Sequence, residues 1–296
     1  MRIAAATTLI DYIHGPERIV PVALRRFAAE GPAVRKAFGE VFRNSRLAPS
    51  TLPRLLDGLS QEDPEICLNC AAAIDRMGPD AAPALSAMLA LIRRELERPR
   101  PARRDDTTDI LGTAADAIGQ IRPEGDAPAE AVDLLVRILE QAVASLDADA
   151  HRAGPKSIEG ASLDALAAKT RLDRRIQGSI WSLGMMGPGA SKALPRLLAL
   201  YEPPPAGVAE PRGLLAEALA EIARTTPDRS RVLGRLVGSW STASPHDRAP
   251  LARALRRLDP DADRLVPDLK HQSNGVSLPP FRRHRFARSR REYTHF

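Results

Sequence analysis

The strongest constraint on the fold is a recurring pair of apolar residues three positions apart. The pairs are Ile10/Ile13, Phe38/Val41, Ile74/Met77, Ile118/Ile121, Leu183/Met186, Leu219/Ile222 and Leu255/Leu258, each closing a segment of helical periodicity. Their first members are spaced by 28, 36, 44, 65, 36 and 36 residues. A period in this range signals stacked supersecondary units rather than one irregular core. Breakers follow most of the pairs: Gly15-Pro16, Pro49, Gly78-Pro79, Pro123, Gly187-Pro188, Pro227 and Pro260. Glycine accepts the left-handed backbone at a helix end and proline stops propagation, so each breaker predicts a turn. A second proline then falls at Pro21, Pro53, Pro83, Pro128, Pro195 and Pro267. Proline suits a first helical turn, where its missing N–H has no partner to lose, so it predicts the start of a second helix.

The segments after these prolines keep helical spacing, as in Leu52, Leu55, Leu56, Leu59 and in Val132, Leu135, Val136, Leu139. Each unit therefore reads as helix, tight turn, helix. Aromatic residues are 4% of the chain, a composition that favours closely packed helices over a β-sandwich and predicts an all-α protein. One helix pair cannot bury both of its apolar faces, whereas stacked pairs share a continuous core. The expected architecture is an α-solenoid of about seven helix pairs over residues 1–269.

Two segments carry the resemblance to a known family. They are Asp63-Pro64-Glu65 through Ala71-Ala72-Ala73-Ile74-Asp75-Arg76-Met77-Gly78-Pro79 to Pro83-Ala84-Leu85, and Ile180-Trp181-Ser182-Leu183-Gly184-Met185-Met186-Gly187-Pro188 to Leu194-Pro195-Arg196-Leu197-Leu198. Both resemble HEAT repeats, most closely the bacterial HEAT-like type also found in phycobilisome lyases. The resemblance implies an armadillo-like helical array with its second helices lining a concave face. It departs from the family in lacking a central proline in most first helices, Pro250 lying near a helix start instead, and in a step of 36 that is slightly short. A tetratricopeptide array competes on period, but its Trp-x-x-Leu-Gly pattern is absent, since Trp181-Ser182-Leu183-Gly184 has the wrong spacing.

Two insertions interrupt the period. Residues 97–106 form a charged loop, and residues 146–171 are a longer segment in which Leu163, Leu166 and Ala167 suggest an extra helical turn or two. Such insertions project from one edge of an array and either decorate it or bind something. The array opens at Ile3–Ile13 without a polar capping unit, which leaves two readings: self-association through that end, or an internal start within a longer array. Residues 270–296 carry seven Lys and Arg against Glu292 alone, which accounts for the whole net charge of +6. They read as a basic, disordered tail, and the rest of the chain is electrically balanced.

Catalytic constellations are not found in the sequence. Histidines stand at 14, 151, 246, 271, 284 and 295, none spaced i, i+4 and none followed by glutamate, which argues against the HEAT-fold diiron hydroxylases. Phosphate loops, nucleophile elbows and dinucleotide fingerprints are missing too. The expectation is a protein that is not an enzyme, with no catalytic residue, cofactor or metal. Cys67-Leu68-Asn69-Cys70 supplies two thiols one helical turn apart, half of a structural zinc set, and reads as small core residues. No stretch is apolar enough to cross a bilayer and the N-terminus has no convincing cleavage site, so a cytoplasmic location is expected.

Two groups of arginines are candidate binding residues. Arg54, Arg196 and Arg235 stand at the position after the helix-starting proline or its equivalent, Pro53, Pro195 and Gly234, and could form a basic stripe on the concave face. Asp57 stands three residues after Arg54, where it can pair with it at the surface. In the tail, Arg282, Arg283, Arg285, Arg288, Arg290 and Arg291 interleave with Phe281, Phe286, Tyr293 and Phe296. Guanidinium groups neutralise phosphates and aromatic planes stack on bases, so this segment could engage nucleic acid or an acidic protein. The leading reading is an interaction scaffold that takes a protein or peptide on its concave face. Two alternatives remain: a nucleic-acid binder of the kind of the HEAT-like alkylpurine DNA glycosylases, though Trp181 and Trp240 sit at core-like positions, and a relative of the chromophore lyases.

Overall fold

The computed structural model describes residues 19–26, 30–44, 47–98, 109–121, 129–153, 163–202, 211–266 and 269. Every regular element among them is a helix, so the protein is all-α. In chain order these are α1 (Ile19–Arg26), α2 (Pro32–Asn44), α3 (Leu52–Leu59), α4 (Pro64–Met77), α5 (Leu85–Glu97), α6 (Ile110–Ile121) and α7 (Ala129–Ala153). They continue as α8 (Leu163–Met186), α9 (Leu194–Tyr201), α10 (Pro211–Ala223), α11 (Arg229–Ser239), α12 (Pro245–Leu258) and α13 (Ala262–Leu265). The chain divides into two compact units, Met1–Ser182 and Leu183–Phe296.

Helix starts follow the predicted punctuation. Pro53 and Pro195 are the second residues of α3 and α9, and α7 begins directly after Pro128. Asp63 caps α4 by accepting hydrogen bonds from the backbone N–H groups of Glu65 and Ile66, with Pro64 in the first helical position. Ser244 caps α12 through the N–H of Asp247 in the same way, ahead of Pro245.

The Gly-Pro breakers are more structured than simple turns. Gly78–Ala84 and Gly187–Ala193 each hold short 3₁₀ turns joined across a kink, at Ala81 and Ala190. Their glycines hold φ of 61° and 59°, a conformation that costs most other residues energy. The match continues residue by residue: Ala81 and Ala190 have φ/ψ of −94°/15° and −91°/18°. A Cβ on either glycine would face the same feature at 3.9 Å, the carbonyl oxygen of Gln120 for Gly78 and of Glu221 for Gly187. Each of those carbonyls lies inside the apolar pair of the next first helix, Ile118/Ile121 and Leu219/Ile222.

In the first unit, α2, α4 and α6 pack in sequence as one layer, and α3, α5 and α7 pack in sequence as a second layer against it. The core lies between them, with Leu55, Ile66, Ile74, Met88, Ile92, Ile118 and Leu135 essentially without solvent exposure. α6 is buried along almost its whole length, only Gln120 escaping. In the second unit α10 packs on α12 while α9 and α11 pack against α10. Leu197, Leu215, Leu219, Leu236 and Leu255 fill that core. At about 25 cal/mol per Å² of apolar surface, these layers are the main source of stability in both units.

Several expectations need adjusting. The segment 146–171 is mostly absorbed by its neighbours: α7 runs on to Ala153 and α8 begins at Leu163, so the extra length prolongs two helices. The second helix of the last pair is only four residues long, Ala262–Leu265. Trp181 is buried as expected, but Trp240 is half-buried in a short 3₁₀ turn, Trp240–Thr242, that follows α11. The expected first helix at Ile3–Ile13, most of the 97–106 loop and the whole of the 270–296 tail lie outside the described residues.

Candidate functional site

The second helices present regular polar rows. α5 exposes Ser86, Ala90, Arg93 and Glu97, and α7 exposes Glu130, Asp133, Arg137, Glu140 and Ala144, both at helical spacing because the opposite face is buried. Arg93 and Glu130 pair across from α5 to α7. In the first unit this surface mixes both signs of charge. α11 in the second unit exposes Arg231, Gly234, Arg235 and Gly238.

Arg54, in α3, is 63% exposed and pairs with Asp57 at 3.7 Å, as the i, i+3 spacing suggests. Arg235, in α11, is 62% exposed and reaches Glu202 at the end of α9 at 3.1 Å. Arg196 is half-buried in α9. Arg54 thus belongs to the first unit, and Arg196 and Arg235 to the second. Arg282, Arg283, Arg285, Arg288, Arg290 and Arg291 lie outside the described residues.

Much of the remaining arginine of the second unit is committed inside the unit. Arg253 and Arg257 on α12 meet Glu217 and Glu221 on α10, the first pair at 2.7 Å. Arg256 reaches Asp263 at 3.2 Å and the Leu269 carbonyl at 2.8 Å. Arg229 donates to the Leu258 carbonyl at 2.7 Å. An arginine held this way steers an anion less than a free one, because its field is partly cancelled by its partner.

A polar cluster that sequence reasoning missed gathers at one end of the second unit, where α9 and α11 end and α10 and α12 begin. The Tyr201 hydroxyl and Ser239 Oγ are 2.5 Å apart, both side chains buried, and Ser239 Oγ also donates to the Leu236 carbonyl at 2.9 Å. Burial pushes the Tyr201 phenol above its ordinary range, against the Ser239 hydrogen bond and the nearby Arg212 charge. Arg212 lies over the Tyr201 ring at 5.9 Å from its centroid, in reach of a cation–π attraction. Nothing in the linear sequence links positions 201, 212 and 239, although a lone tyrosine closing an apolar helix was a visible signal.

A second cluster joins α6 to α8 within the first unit. Asp109 accepts from the Gly112 N–H at 3.2 Å and from Arg175 Nε at 2.7 Å, with only 4% of its side chain exposed. Asp116, equally buried, has Arg174 at 3.9 Å. Ser182 Oγ donates to the Ala115 carbonyl at 2.5 Å. Gly119 and Gly178 permit this approach, since a Cβ at either would strike the facing helix. An aspartate at 116 inside a small and apolar run was the sequence signal for a buried charge. Nearby on α8, burial raises the Asp173 carboxyl, partly offset by Lys169 at 3.9 Å.

Cys67 and Cys70 are buried, free thiols on α4. Cys67 Sγ contacts the Gln61 carbonyl at 3.1 Å and Arg94 Nη2 at 3.4 Å, yet burial still outweighs the guanidinium and raises the thiol. Cys70 is raised further, desolvation being the larger cause. Both behave as core residues. Among the described residues no group of three or more His, Cys, Asp and Glu could hold a metal ion, and no helix is long and apolar enough to cross a membrane. The chain matches no protein-family model, no curated protein and no solved structure.

Proposed function

We propose that this chain is a non-enzymatic interaction scaffold of the HEAT-like α-solenoid type, which holds a protein or peptide on the surface made by its second helices and works in the cytoplasm. The observation that carries the reading is the recurrence of one turn, Gly78–Ala84 and Gly187–Ala193, with the same backbone angles and the same contact to the next first helix. A turn reproduced so closely 109 positions apart supports one stacking rule applied along the chain. The pairs Glu217–Arg253 and Glu221–Arg257 repeat that rule at a step of 36. Stacking of this kind spends the apolar faces on neighbouring repeats and leaves a preformed polar surface, the form of recognition that solenoids suit. The mixed charge on α5 and α7 favours a protein partner over nucleic acid, which calls for a continuous basic track.

The test is site-specific photo-cross-linking in cells with benzoylphenylalanine at Ser86, Ala90, Ala144 and Ala199, all exposed on second helices. Lys36 and Ala167, exposed on first helices away from the α10 and α12 starts, are the controls. The reading expects one discrete adduct, shared by the second-helix positions and weak or missing at the controls. Adducts of equal strength at both sets, or none, would refute it.

A further inference from the structure

We infer that Arg212 and Arg248 form a receptor for an acidic peptide at one end of the second unit, each guanidinium taking one carboxylate. The inference rests on the scaffold reading and names the chemistry of the partner. The two arginines hold equivalent positions, 36 residues apart, near the starts of α10 and α12. That is the step separating Glu217 from Arg253 and Glu221 from Arg257, so Arg212 and Arg248 belong to the same register on two packed helices.

Both side chains are half-buried, and the Nε of each is hidden from solvent without an acceptor. Burial of the Nε costs each guanidinium part of its hydration, while its Nη groups are not among the buried atoms and are left to meet an added carboxylate. Glu202 pairs with Arg235 at 3.1 Å, and Asp247 accepts from Ser244 Oγ at 2.7 Å without an ion pair to either arginine. Arg253 and Arg257, farther along α12, are held by glutamates, whereas neither Arg212 nor Arg248 has a carboxylate partner among the described residues. Tyr201, fixed by Ser239, supports the Arg212 guanidinium from one side and holds its planar fork ready.

Spacing favours a peptide. Packed helices lie about 8–10 Å apart, and an extended chain advances about 3.3 Å per residue. Two equivalent arginines therefore match acidic side chains two or three residues apart on an extended segment. Nucleic acid gains less from Tyr201, because that ring is buried and offers its face to Arg212 rather than to a base.

The test uses the full chain and a fluorescein-labelled octaglutamate peptide, followed by anisotropy at physiological salt. Arg212→Gln and Arg248→Gln are each expected to weaken binding about tenfold, the loss of one charge-assisted contact, and the double variant more. Arg224→Gln, at an exposed arginine just beyond α10, is expected to leave affinity unchanged. Arg212→Lys and Arg248→Lys, which keep the charge and lose the fork, are expected to bind at intermediate strength and serve if a glutamine variant fails to fold. No binding by the unaltered chain, equal weakening by Arg224→Gln, or an unaffected double variant would overturn the inference. So would a 20-nucleotide single strand that binds in place of the peptide with the same dependence on these arginines. If octaglutamate fails while second-helix cross-links persist, the acidic peptide falls and the scaffold stands.

Discussion

Replacing glycine by alanine at two helical positions should change stability in opposite directions. Gly119, in α6, and Gly234, in α11, are both interior helical glycines, where alanine is intrinsically better by about 1 kcal/mol. At Gly119 a new Cβ would lie 2.5 Å from Ser182 Oγ, 2.5 Å from Trp181 Cζ3 and 2.9 Å from the Ser182 Cα. The last contact is backbone, so no rotamer change relieves it and α8 must shift away from α6. Overpacking of this kind costs about 1–3 kcal/mol, and three contacts of 2.9 Å or less, one of them backbone, place this site at about 2–3 kcal/mol, so after the helix gain Gly119→Ala should destabilise the first unit by about 1–2 kcal/mol. At Gly234 nothing lies within 4 Å of the new Cβ, and Gly234→Ala should stabilise the second unit by about 0.5–1 kcal/mol. The chain's two tryptophans allow each unit to be read separately, since Trp181 lies in the first and Trp240 in the second. Urea unfolding followed by fluorescence, in a Trp240→Phe background for Gly119 and a Trp181→Phe background for Gly234, reports each. With m near 2 kcal/mol per M, the midpoint should fall by about 0.5–1 M for Gly119→Ala and rise by about 0.2–0.5 M for Gly234→Ala. A neutral or stabilising Gly119→Ala would refute the close approach of α6 to α8. A destabilising Gly234→Ala would refute the open surroundings of α11.

Asp109→Ala removes both the α6 cap and the partner of Arg175, leaving a guanidinium that is only 17% exposed without its carboxylate. The expected loss is about 3 kcal/mol, measured by the Trp181 unfolding midpoint, and a loss below 1 kcal/mol would show that the pair contributes little. Cys67 and Cys70, both buried and both raised, should resist an aromatic disulfide reagent at pH 8 and react fully in urea; fast labelling of the native protein would contradict their placement. Truncation after Leu269 removes the Arg-rich segment. If the scaffold reading is right, neither the full chain nor the truncated one binds mixed nucleic acid at physiological salt; binding that weakens steeply with salt and disappears on truncation would instead favour the nucleic-acid alternative.

The helical class and its punctuation were legible without coordinates because they depend on local rules. Apolar spacing marks a helix face, glycine followed by proline marks an end, and proline a few residues later marks the next start. Met77-Gly78-Pro79 and Met186-Gly187-Pro188 announced two turns, and the thiols of Cys67 and Cys70 were placed in the core from their neighbours alone. The Arg54–Asp57 pair was likewise readable, being three residues apart on one helix.

What the tertiary structure alone decided involves residues far apart in the chain. The kinked 3₁₀ winding of the Gly-Pro turns, the lengthening of α7 and α8 through the apparent insertion, and the half-exposure of Trp240 depend on what packs beside them. The meeting of Asp109 with Arg175, 66 residues on, and of Tyr201 with Ser239 and Arg212 has no local signature. Gly119 and Gly234 make the contrast plainest. They are the same residue in the same kind of element, and only the helix facing Gly119, together with the empty space beside Gly234, gives the two positions opposite roles. Secondary structure follows from interactions within a few residues, which a sequence displays. Side-chain partnership, burial of charge and the open or closed character of a face arise from three-dimensional proximity, which the order of residues does not contain.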